Sequence, residues 1–87
     1  MTELGDLKIW GTLEGSEESI KLDEISIIAK AEVIRALGVF LINAAYEMDV
    51  NEIEHVHLQD SIANFSYENH VDVIVNNQEK VRLAGTD

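Results

Sequence analysis

The chain has 87 residues, 46% of them hydrophobic, and a formal net charge of −11 from 17 Asp and Glu against 6 Lys and Arg. That length predicts a single domain, residues 1–87, with one modest core and little volume for a deep substrate cavity. The charge disfavours nucleic acid and anionic membranes as direct partners and favours a basic protein, while the absence of Cys and Pro removes disulfides, thiolate chemistry and Pro-rich recognition.

The segment Met1 to Asp6 carries Glu3 and Asp6 with no apolar run, so no export signal is expected there. No stretch approaches the roughly 18 apolar residues that span a bilayer. The expected location is the cytoplasm. From Leu7 to Leu13, apolar Leu7, Ile9 and Leu13, with Gly11, alternate with Lys8, Trp10 and Thr12, the period of a half-buried strand. Trp10 then stands on the outward parity, where it either anchors an interface or covers the far side of the sheet. Gly15-Ser16-Glu17-Glu18 supplies a turn. A second extended region is predicted from Ser19 to Ala29, with a bulge or a break into two strands at Asp23-Glu24, where the alternation changes phase.

Between about Ala31 and Met48, Val33, Ile34, Leu37, Phe40, Leu41, Ala44, Ala45 and Met48 recur at spacings of three and four, predicting a helix with a core-facing stripe. Asn43 and Glu47 are expected on its opposite face. Gly38 costs such a helix up to about 1 kcal/mol relative to Ala, and close packing on the sheet is the expected reason for it. Glu54 to Asp60 alternates again, with Val56 and Leu58 on one side and His55, His57 and Gln59 on the other. Phe65 and Tyr67 are expected to cover a core edge. Val71 to Asn76 reads as a central strand, and Lys80 to Ala84 as a final short one after a turn at 76–79. The predicted fold is α+β: one amphipathic helix packed on a four- to five-stranded, mostly antiparallel sheet.

Catalytic signatures do not appear. The serines at 16, 19, 26, 61 and 66 stand outside any nucleophile elbow, and the glycines at 5, 11, 15, 38 and 85 form no phosphate-binding loop. His55 and His57 should share one strand face, and Asp60 or His70 would have to complete a metal site. Two His on a strand fall short of the three or four ligands a first-row metal needs. The expectation is therefore no catalytic residue, no resident metal and no cofactor. A small metal-dependent enzyme built on His55, His57 and His70 is kept as an alternative.

A different feature points to binding. Glu47, Asp49, Glu52 and Glu54 crowd the end of the helix, where negative charge opposes the macrodipole at roughly 0.3–1 kcal/mol per charge. No Lys or Arg lies between Arg35 and Lys80 to offset them. These four carboxylates, with His55, His57 and Asp60 beside them, are the predicted surface for a cationic partner. A second acidic group, Glu14, Glu17, Glu18, Asp23 and Glu24, surrounds the first turn.

Ile25-Ser26-Ile27-Ile28-Ala29, Glu32 to Leu37, Phe40 to Met48, Glu54-His55-Val56-His57-Leu58-Gln59-Asp60 and Asp72-Val73-Ile74-Val75 together resemble the bacterial immunity proteins of polymorphic toxin systems, in the immunity family numbered thirty-two. The similarity covers roughly residues 20 to 76. Lys30 departs from it, standing where a small capping residue or proline is expected. The resemblance implies a small α+β protein made beside a toxin, which it binds and blocks in the producing cell. His55, His57 and Asp60 match the motif strand, and Asp72 matches the acidic residue that opens the next one. An acidic inhibitor fits a toxin whose active-site cleft is basic because it handles nucleic acid or nucleotides. The same physics fits another acidic inhibitor or nucleic-acid mimic, such as a phage-encoded blocker of a host defence complex. The sequence leaves the oligomeric state open.

Overall fold

The computed structural model describes residues 3–66 and 68–80. Its longest element is helix α1, Ala31–Asn51. The run from Ala31 to Leu37 is rich in good helix formers, and Glu32 in the first turn complements the positive end of the dipole. Lys30 caps the helix with extended backbone and no side-chain bond, its carbonyl accepting from the N–H groups of Val33 and Ile34 at 2.9 and 3.0 Å. The helix runs past the predicted end at Met48, because Asp49-Val50-Asn51 contains no Gly or Pro to stop it. It ends where Glu52 turns left-handed at φ 51°. A non-glycine residue there costs roughly 1–2 kcal/mol, so surrounding contacts must hold it.

One side of α1 is covered, but narrowly. Phe40 and Ala44, one turn apart, are 7% and 2% exposed, and Leu37 and Met48 are half-buried. Val33, Ile34, Leu41 and Ala45, predicted in the same stripe, remain exposed. The stripe was overdrawn because the helix is apolar on several sides, with Val39, Ile42, Tyr46 and Val50 exposed elsewhere around it. Asn43 and Glu47 are also misplaced by the prediction. They line an open groove beside the core with Phe40, Ala44, Val56 and Leu58. Gly38 does not pack on a sheet: a Cβ there would meet nothing within 4 Å.

Among the described residues the strands form two separate antiparallel ribbons in place of one four- to five-stranded sheet. In the first, β1 (Trp10–Thr12) pairs with β2 (Ser19–Lys21), with Gly11 opposite Ile20. Gly11 gives the Leu22 side chain room, since a Cβ would come within 3.1 Å of it. The turn between them is closed by the Ser16 N–H donating to the Leu13 carbonyl at 2.9 Å, with Gly15 at φ 83°. Both strands are shorter than their alternation predicted. Leu7, Ile9 and Leu13 are exposed, and Ile25, Ile27 and Ile28 lie beyond the paired segment, also exposed.

The second ribbon pairs β3 (His55–His57) with β4 (Ile74–Asn76). Two backbone bonds extend it: Leu58 N–H to the Val73 carbonyl and Asn77 N–H to the Glu54 carbonyl, both at 2.8 Å. The predicted strand from Glu54 to Asp60 breaks at a 3-10 turn, Leu58–Asp60. The predicted central strand is one edge of this ribbon, with Val71 83% exposed. Phe65 is half-buried, its ring 5.6 Å from that of His70. Tyr67 and the predicted strand beyond Lys80 lie outside the described residues.

Three-residue strands cannot blanket a helix of about 31 Å.

Candidate functional site at the acidic end of the helix

Successive helical residues rotate by about 100°, so Glu47 and Asp49 stand on opposite sides of α1. Glu47 is half-buried in the groove, and its carboxylate accepts a bond from the Asn51 side-chain amide. Asp49 is exposed on the outer side. The four carboxylates predicted to act as one cluster are therefore divided by the helix itself.

Beyond the helix the chain is organised by Asn77, which is 8% exposed and the one buried polar residue among those described. Its N–H donates to the Glu54 carbonyl at 2.8 Å and its side-chain amide to the Ile53 carbonyl at 3.1 Å. Its side-chain oxygen accepts from the Glu79 N–H at 3.1 Å. These three bonds hold the segment that follows the left-handed Glu52, and they set Glu52, Glu54 and Glu79 around one fixed point, all three exposed. Lys80 reaches Glu52 at 3.3 Å, with the two side chains 40% and 75% exposed. Such a solvated pair contributes little to stability. It is a local compensating cation all the same, supplied from 28 residues away in sequence.

The histidines separate in role. The rings of His55 and His57 lie on one strand face as predicted, edge to face at 5.1 Å. His55 is exposed, its Nδ1 3.6 Å from the Glu54 carboxylate. His57 is engaged internally: its Nδ1 lies 2.7 Å from one oxygen of Asp72, whose other oxygen accepts the Gln59 N–H at 2.9 Å. His70 is held apart, its Nδ1 accepting from the Ser66 N–H at 2.9 Å. Among the described residues no three His, Asp or Glu side chains converge as metal ligands. Asp60 is exposed at the end of the 3-10 turn.

Of the seven predicted site residues, Glu52, Glu54 and His55 share the ribbon's end. Glu47 and His57 are committed to internal bonds, Asp49 belongs to another face, and Asp60 lies at the 3-10 turn beyond the other end of β3. Asn77 and Glu79 were missed. Continuing the β3–β4 register by one pair would have set Asn77 across from Glu54, but that register is not visible in the sequence. The second acidic group, Glu14, Glu17, Glu18, Asp23 and Glu24, is exposed around the first ribbon. No helix among the described residues is long and apolar enough to cross a membrane.

Comparison with protein-family models, with curated proteins and with solved structures finds no match to this chain.

Proposed function

We propose that this chain is an immunity protein: it binds a basic bacterial toxin that acts in the cytoplasm and blocks the toxin's active-site cleft. The observation that carries the reading is the group of exposed acidic residues, Glu52, Glu54 and Glu79, on backbone that the buried Asn77 ties together through Ile53, Glu54 and Glu79. A backbone already ordered beneath these side chains loses less freedom on binding than a mobile one. The overall charge of −11 adds long-range attraction for a cationic protein, which raises association rates by about 10 to 1,000-fold. Inhibition of this kind is steric and requires no catalytic group. The sequence resemblance supports the same reading.

The test compares the natural chain with the variant Glu52→Lys with Glu54→Lys. Both positions are exposed, so the fold should tolerate the change. Immobilised natural chain should retain, at low salt, a basic protein from the producing cell and suppress that protein's activity. The variant should bind it at least about tenfold more slowly, and added salt should narrow the gap. Equal association by both chains at every ionic strength would remove the acidic end from the binding surface.

A further inference from the structure

We propose that the outer face of α1 seats a second copy of this chain in an antiparallel, two-fold helix pair. The face is made by Arg35, Gly38, Leu41, Ile42, Ala45 and Asp49, which recur at the three- and four-residue spacing of one helical side. It stands apart from the covered side that holds Phe40 and Ala44. Ile42 is 70% and Leu41 45% exposed, and the position of a Cβ on Gly38 is open space.

The arrangement of its residues selects the occupant. Arg35 and Asp49 lie equally far on either side of Ile42, about 10 Å along the axis each. A two-fold axis beside Ile42 therefore brings Arg35 of each copy to Asp49 of the other. The same operation turns the small residues, Gly38 before the centre and Ala45 after it, toward each other's end of the contact, where they let the two backbones approach. Leu41 and Ile42 fill the centre. A self-complementary patch of this kind is what an isologous dimer requires. The last turn of α1 has no basic residue of its own, and Arg35 of the second copy supplies one.

Sedimentation equilibrium at physiological salt tests the pair. The natural chain should show twice the protomer mass, and Ile42→Glu should return it to the protomer. Arg35→Asp and Asp49→Arg each set like charges face to face and should raise the dissociation constant at least about tenfold. Mixed in equal amounts, the two single variants should regain the dimer mass, because every 35–49 contact between unlike chains is again attractive. Circular dichroism of each variant separates a lost dimer from a lost fold. A natural chain that stays monomeric, single variants that dimerise as well as it does, or a mixture that stays monomeric would each overturn the proposal. None of these variants alters Glu52, Glu54 or Glu79, so the outcome is independent of partner binding at the acidic end.

Discussion

His57 Nδ1 and an Asp72 oxygen lie 2.7 Å apart, joining the last residue of β3 to the stretch that leads into β4. A carboxylate has no hydrogen to give, so Nδ1 carries it. The other Asp72 oxygen accepts the backbone N–H of Gln59 at 2.9 Å, inside the 3-10 turn that ends the ribbon. One side chain thus fastens both the strand and the turn.

From this follows an order of effects. Asp72→Ala forfeits two bonds and should destabilise the chain by about 1–3 kcal/mol, whereas His57→Ala forfeits one and should cost about 1 kcal/mol. Urea denaturation of both single variants and the double variant measures the coupling. A value between roughly 0.5 and 3 kcal/mol is expected for residues in direct contact; additive effects would mean that the pair is not formed in solution.

Asn77 should be more sensitive than its loop position implies. Asn77→Ala strips the amide bonds to Ile53 and Glu79, leaves their backbone groups without that partner, and removes support from the left-handed Glu52. A loss of about 1–3 kcal/mol is expected. Asn77→Asp keeps the oxygen that accepts from Glu79 but places another charge beside Glu52, Glu54 and Glu79, and should cost at least as much. Thermal unfolding of both variants decides this. Indifference to either change would show that the acidic end is not fixed by this residue.

Phe40 is the largest buried side chain on α1, and among the described residues only Ala44 and Asn77 are buried besides it. Phe→Ala in a core costs about 3–5 kcal/mol, close to the whole stability expected of a domain this small. Phe40→Ala should therefore abolish cooperative unfolding, seen as a sloping rather than sigmoidal melt. Ile28→Ser, at a position 95% exposed, should leave the transition unchanged within about 0.5 kcal/mol.

The sequence revealed some of these elements and concealed others for identifiable reasons. The helix start at Ala31 was readable from the spacing of Val33, Ile34 and Leu37, and both ribbons showed as alternation. Alternation reports that a strand has two faces and says nothing about how long its partner is. Trp10 and Ile74 therefore lie in ladders of three residues, while Leu7 and Val71 beyond them do not pair. The core stripe was ambiguous because Ile42 and Tyr46 are as apolar as Phe40. Acidic residues close in sequence were read as close in space, which a helix does not grant: Glu47 faces the groove while Asp49 faces away. What organises the acidic end is long-range, with Asn77 bonded to Ile53 and Lys80 to Glu52 across 24 and 28 residues. No local pattern encodes such pairs.

Gly38 separates the stability of the single chain from its self-association. Its backbone is helical and a Cβ would meet nothing within 4 Å, so Gly38→Ala should stabilise α1 by about 0.5–1 kcal/mol through helix propensity alone. In a chain of this length that raises the melting midpoint by several degrees. Gly11→Ala is the contrasting case, because its new methyl group would press on Leu22 at 3.1 Å and should give no gain. At protein concentrations low enough to hold the chain monomeric, Gly38→Ala should melt above the natural chain. At high concentration the order should narrow or invert, since the methyl group then occupies the space where a second helix approaches. Melts recorded across a hundredfold range of concentration distinguish the cases. A gain of equal size throughout would mean that nothing seats at Gly38, and no gain at the lowest concentration would mean that the helix is not formed around it.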